Sequence, residues 1–159
     1  MYMGFPMNEH KPFIYRAIEL ASQALDKGEA PFGAVLVHDG KILLESECTT
    51  EAESDPTRHA ELNLVSHACR QMPREQLSEC TLYSSTEPCP MCAGAIYWAG
   101  IPKVVYGCSM EALDQIAGHS TQMGCRKVFD CCYGQIEVIG PVEEELACEP
   151  HMKCWPHPS

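Results

Sequence analysis

Apolar residues at Ile14, Ala17, Ile18, Ala21, Ala24 and Leu25 recur at helical steps, a spacing that aligns side chains on one face. Gly28 follows as a stop signal. The pattern then shortens. Phe32 to His38 and Lys41 to Ser46 predict two strands, joined by Asp39-Gly40, a dipeptide that accepts positive φ and favours a hairpin. Asp55-Pro56 suits a helix cap and first position. This predicts a helix reaching Cys69, with Leu62, Val65 and Cys69 turned inward. Cys80 to Ser85 predicts a strand, and Pro88 the first turn of a helix that reaches Ala99. Val104 to Gly107 predicts a short buried strand, Met110 to Ala117 a helix and Ile136 to Val142 the last strand, before a helical segment from Glu143. After the opening hairpin, strands alternate with helices, which implies parallel pairing with helices on both faces. The expected fold is α/β, a three-layer α-β-α sandwich on a mixed sheet of about five strands.

Composition narrows the function classes. The chain has 159 residues, 45% hydrophobic and 21% charged, with no repeat or linker-like tract. One domain over residues 1–159 is expected. No apolar run approaches the ~18 residues of a membrane span. Met1-Tyr2-Met3-Gly4-Phe5-Pro6 lacks the basic start of a signal peptide. A cytoplasmic location and no membrane partner are the expectations. Eleven Lys and Arg stand against 22 Asp and Glu, for a net charge of −11, and only Arg126-Lys127 are adjacent basic residues. A phosphate backbone is held by clustered cations, so no nucleic-acid partner is expected. Eleven cysteines in a reduced chain read as metal ligands and small buried hydrophobes.

Two short segments carry the chemistry: Thr57-Arg58-His59-Ala60-Glu61 and Glu87-Pro88-Cys89-Pro90-Met91-Cys92. Each sits where a loop or strand feeds a helix N-terminus. Cys89 and Cys92 are three apart, so one turn can aim both sulfurs at one point. A helix N-terminus favours the thiolate form. His59 supplies a third, neutral donor. Three protein ligands leave the fourth tetrahedral position of one zinc ion per chain open for water, whose pKa falls to about 7. Glu61, two residues beyond His59, is the candidate catalytic proton shuttle. A Cys-x-x-Cys pair also serves as a redox dithiol or half of a structural zinc site. The redox use does not need Glu61, and the structural site needs a fourth closed ligand.

On these residues the chain resembles the cytidine-deaminase-like superfamily of zinc deaminases, in the branch of guanine, guanosine and tRNA adenosine deaminases. The resemblance runs from about Ile14 to Val142 and is most specific at Ala30 to Val35, Asp55 to Glu61 and Pro88 to Trp98. It implies zinc on His59, Cys89 and Cys92, with Glu61 moving protons. It also implies backbone amides of Ala60 and Cys89 near the substrate and the Glu87 carbonyl meeting the leaving amine. Phe32 and the run from Gly94 to Trp98 look like guanine deaminases, so Phe32 and Trp98 join the substrate-binding candidates. The implied function is hydrolytic deamination of a free nucleobase or nucleoside, guanine to xanthine first. Guanosine, cytosine, cytidine or an aminotriazine are the alternatives, ahead of tRNA adenosine or a non-catalytic zinc module. The sequence departs from the pattern at Cys48, where the family usually places an asparagine against the base; a thiol cannot reproduce an amide's paired hydrogen bonds. Residues 143–159 are a C-terminal tail expected to cover the site, with Trp155 as lid aromatic. Cys148, His151 and Cys154 are spaced for a second metal, although Pro150 interrupts them. Relatives imply a homodimer.

Overall fold

The computed structural model of the chain describes residues 6–119 and 123–155. Strands β1 (Gly33–His38) and β2 (Lys41–Glu47) form the expected antiparallel hairpin. Asp39 and Gly40 both hold positive φ, at 48° and 71°, as a tight hairpin turn requires. β1 also pairs antiparallel with β3 (Thr81–Thr86), while β3, β4 (Lys103–Cys108) and β5 (Glu137–Ile139) run parallel. The result is one mixed five-stranded sheet in the order β2-β1-β3-β4-β5, as anticipated.

The helices are α1 (Pro6–Asp26), α2 (Ala60–Gln71), α3 (Arg74–Leu77), α4 (Pro90–Ala99), α5 (Met110–Ala117), α6 (Cys125–Asp130) and α7 (Glu144–Cys154). Strand alternation divides them between two cores. Ala34 and Leu36 of β1, Leu82 of β3 and Val104 of β4 pack with Leu64 of α2, Ile96 of α4 and Phe129 of α6. Val35, Tyr83 and Val105 point the other way, toward Ile14 of α1, Leu113 of α5 and Ala147 of α7. Gly33 permits the close approach of α1: a Cβ there would lie 2.6 Å from Leu20 Cβ and 2.7 Å from the Ala21 nitrogen. No helix among the described residues is long and apolar enough to cross a membrane.

Four expectations need correction. α2 begins at Ala60 rather than at Pro56, because the Asp55 Oδ1 accepts the Thr57 N–H (2.9 Å) and hydroxyl (2.7 Å). That side-chain turn competes with the helix. Cys69 is exposed and Leu62 only half-buried: seven residues apart, they share a face away from the stripe of Ala60, Leu64 and Ala68 that enters the core. The helices α3 and α6, of four and six residues, are too short to show a helical period in the sequence. β5 pairs only over Glu137–Ile139, since Pro141 follows closely and has no N–H to offer a ladder.

Candidate active site

His59 and Cys89 occupy equivalent places in the chain. Each is the N-cap of its helix, α2 or α4, with extended backbone (φ −67°, ψ 156° and φ −70°, ψ 169°), and neither spends its side chain on a capping bond. Their carbonyls accept the first helical bonds, from Asn63 and Ala93, while their side chains remain free to meet. Pro90 at the first helical position is pre-set for a helix. Cys92 follows one turn on and is fully buried. The two helices pack side by side, so all three donors converge near the carboxyl ends of the parallel strands, where α/β folds place their ligands.

The His59 Nδ1 lies 3.5 Å from Cys89 Sγ and 3.7 Å from Cys92 Sγ, and all three atoms lie within 4.8 Å of one another. Zinc bonds of ~2.0 Å to nitrogen and ~2.3 Å to sulfur, at a tetrahedral angle, imply a nitrogen-to-sulfur separation of ~3.6 Å. The donor set therefore fits zinc, with one position left open. It is the only His, Cys and acid cluster among the described residues close enough to hold a metal. The second-metal spacing comes to nothing: α7 is continuous through Pro150, but Cys148 Sγ meets Cys108 Sγ at 3.1 Å and His151 turns to Thr86. The donors also set one another's ionisation. Cys89 is held down to about 4, first by a hydrogen bond from the Cys92 thiol and further by His59, against the cost of burial. Cys92 is pushed up as the donor in that bond and by burial. His59 is raised, first by its bond with Cys89.

Glu61 lies in the first turn of α2 and is 3% exposed. Its Oε1 accepts the Ser84 hydroxyl at 2.5 Å. Burial raises its pKa, and the Ser84 bond works in the opposite direction. A cavity of about 150 Å³ opens beside it, lined by Phe32, His59, Glu61, Glu87, Cys89, Met110 and Leu113. The Phe32 and His59 rings are nearly parallel, 8° apart in plane with centroids at 6.4 Å. Glu87 closes the far wall through its side chain: Oε1 accepts the Met110 N–H (3.1 Å) and Oε2 the Cys125 N–H (2.8 Å). One buried carboxylate thus satisfies donors at the starts of both α5 and α6, where unpaired N–H groups gather.

The structure brings His59, Glu61, Phe32, Glu87 and Cys89 to one cavity, with Cys92 at the metal point. Ala60 begins α2 and is fully buried. Trp155 ends α7, its ring 6.5 Å from Phe32 and 5.7 Å from His151. The end of the C-terminal helix thus comes next to one cavity-lining residue, Phe32; residues 156–159 of the tail lie outside the described residues. Four of the substrate-binding candidates, Ala60, Trp155, Cys48 and Trp98, do not line the cavity. Cys48 is buried beside Phe32, donating its N–H to the Phe32 carbonyl (3.1 Å) with its sulfur 3.5 Å from Thr50 Oγ1. Trp98 is 76% exposed; six residues beyond Cys92, it stands ~9 Å further along α4 and on another face. Met110, Leu113 and Ser84 belong to no short motif, yet they join the site. Only the helical spacing of the first two after the Ser109 cap hinted at a shared face.

Comparison with known proteins agrees with this geometry. Residues 7–108 match the family described as the cytidine and deoxycytidylate deaminase zinc-binding region. A probable cytosine deaminase of Schizosaccharomyces pombe is 35% identical over 148 residues, 90% of each chain. The guanine deaminase of Bacillus subtilis is 47% identical over 98 residues, 61% of this chain and 62% of that one. A solved structure from studies of tRNA:A34 deaminases superposes with a TM-score of 0.68 at 34% identity, covering 82% of this chain and 98% of the other. The chain belongs to the cytidine and deoxycytidylate deaminase family of zinc-dependent deaminases.

Proposed function

We propose that the protein hydrolyses the exocyclic amine of a free, single-ring nucleobase of the cytosine class, converting amino-heterocycle and water to oxo-heterocycle and ammonia. The observation that carries this reading is the size of the cavity, about 150 Å³. A cavity of ~150 Å³ accommodates a benzene-sized ring, whereas drug-sized ligands need pockets of ~300 Å³ or more. The 35% identity to a probable cytosine deaminase over 90% of each chain supports the same choice. The absence of Cys48 from the lining is consistent with it, since a small ring presents less edge to be read.

Zinc, when bound, supplies a Lewis acid that brings a water molecule toward deprotonation near neutral pH. The chain's residues do the rest. Glu61, buried and raised in pKa, takes one water proton at its free carboxylate oxygen and delivers it to the ring nitrogen; it then takes the proton of the hydroxyl added to the ring carbon and delivers that one to the departing amine. Ser84 holds the other oxygen and fixes the carboxylate's orientation. Phe32, Met110 and Leu113 exclude water and grip the ring faces. Trp155 stands edge-on to Phe32, with 6.5 Å between the ring centres.

A second reading, guanine, rests on the 47% identity to a guanine deaminase and on Phe32 and the Gly94 to Trp98 run. A polyanionic substrate is disfavoured by the net charge of −11. The test is ammonia release from cytosine, cytidine, guanine, guanosine, adenine and ammeline by zinc-loaded protein. Cytosine is expected to exceed every other compound by at least ~10-fold in kcat/KM, a gap that pocket fit alone supplies. Faster turnover of guanine or of a nucleoside would overturn the single-ring reading.

A further inference from the structure

We propose that Asn63 is a positioning residue, whose buried amide clasps the neck of loop 48–58 and so sets the orientation in which His59 meets the metal. The inference rests on His59 as a zinc ligand and not on the choice of substrate.

The loop leaves β2 after Glu47 and returns to the chain at His59. Its ends meet where the Thr49 N–H donates to the Arg58 carbonyl at 2.9 Å. Asn63 lies one turn into α2 and is 7% exposed. Its Nδ2 donates to the Glu47 carbonyl (3.0 Å), Thr49 Oγ1 (2.9 Å) and the Arg58 carbonyl (3.3 Å). Two amide hydrogens thus serve three oxygens, one on each side of the neck and one within it. Compact loops with joined ends are packed by their own side chains. The outer turn is pinned separately, by Glu29 accepting the Ala52 N–H (2.8 Å) and the Glu51 N–H (3.1 Å). The neck therefore rests on the Thr49–Arg58 bond and on the Asn63 amide that braces it.

The consequence falls on His59. The Arg58 carbonyl belongs to the peptide that carries the His59 nitrogen, and two donors fix that peptide's plane. On the other side, the Asn63 backbone N–H donates the first-turn bond of α2 to the His59 carbonyl at 2.9 Å. One residue thus holds the backbone before and after the imidazole. His59 itself has no side-chain cap bond to hold it. At the other side of the neck, Cys48 is tied to the Phe32 carbonyl, so the same clasp steadies the start of the loop beside the cavity wall.

Partners that orient a metal ligand typically govern metal affinity by 10–100-fold. In Asn63→Asp, a carboxylate of the same shape faces three oxygens with no hydrogen to give. Its zinc affinity, measured at 25 °C by competition with a chromogenic chelator, should fall by about 10-fold or more. The Co²⁺-substituted protein should show displaced ligand-field bands. Thr49→Val removes one acceptor while keeping the volume, and should shift zinc affinity in the same direction by less. A merely structural role would lower the melting temperature and leave zinc affinity and the cobalt spectrum unchanged. That result, in whichever of Asn63→Asp, Asn63→Ser and Thr49→Val fold, overturns the proposal. Weakened zinc binding alongside silence on every base sustains it and overturns the substrate reading instead.

Discussion

The Ser84 hydroxyl on β3 donates to Glu61 Oε1 on α2 at 2.5 Å, joining the sheet to the candidate proton shuttle inside a buried site. Neighbouring positions of β3 show why this falls to Ser84: Leu82 lies on the same face of the strand and packs into the core beneath α2. A hydroxyl in that row meets the one carboxylate that α2 turns inward. In a low-dielectric setting such a bond is strong, and it leaves the second oxygen available for chemistry.

Glu61→Ala should keep about one zinc per chain and lose turnover by ~10²–10⁴-fold, the range of a lost general acid–base. Ser84→Ala leaves the carboxylate in place without its orientation, and should lower kcat by about 10-fold with KM little changed, consistent with ~1.4 kcal/mol of positioning. Metal analysis and ammonia release on the same samples check both. Full activity in Glu61→Ala would exclude it as the shuttle.

Glu87→Gln tests the wall of the cavity. A neutral amide turns an N–H₂ toward one of the two backbone N–H groups that the carboxylate now serves. One buried donor loses its acceptor, at a cost of about 1–3 kcal/mol. Urea unfolding should show that loss. KM should rise as well, because α5 carries Met110 and Leu113 into the cavity.

Acid should destabilise the fold through His151. Its ring is 1% exposed, bonds Thr86 Oγ1 through Nε2 at 2.5 Å, and packs against Phe32 and Trp155. Burial alone pushes its pKa down to about 4 from 6.5. A folded pKa below the unfolded one means that the unfolded chain binds the extra proton. The contribution is therefore complete above pH 6.5 and is lost as pH falls from 6.5 through about 4, on the order of 3 kcal/mol in all. His10 is shifted in the same direction by burial. Unfolding free energies at pH 7.5 and pH 5 should differ more in the native sequence than in His151→Gln. Equal differences would remove His151 from the acid response.

Gly33→Ala probes how α1 sets the position of Phe32. The added Cβ meets Leu20 Cβ and the Ala21 nitrogen at 2.6 and 2.7 Å, and helix backbone cannot yield as a side-chain tip can. The expected loss is about 3 kcal/mol or more, read as a lower melting temperature. An unchanged melting temperature would mean that α1 can shift away from the sheet at little cost.

Much of the molecule was legible from its residues. Alternation and helical spacing placed all five strands and most helices, because both periods report which face is buried. The errors have local causes. The Asp55 turn delayed α2, and α3 and α6 are too short, at four and six residues, to display a period. Trp98 was read by likeness of a segment, but helical geometry carries it to the far end of α4 and into solvent.

The candidate zinc donors and the candidate shuttle Glu61 are legible in the sequence alone. Their geometry is set within one helical turn: Cys89 and Cys92 share the start of α4, and Glu61 follows His59 at the start of α2. Spacing that short admits few conformations, so residue identity nearly amounts to position. The cavity is a different matter. Phe32 from before β1, Glu87 after β3, and Met110 and Leu113 from α5 meet only because a twisted sheet and its packed helices bring them together. Contacts across such separations are settled by the balance of burial over the whole chain, and no short motif encodes it. For the same reason the sequence announces the chemistry, while tertiary packing decides which side chains surround it.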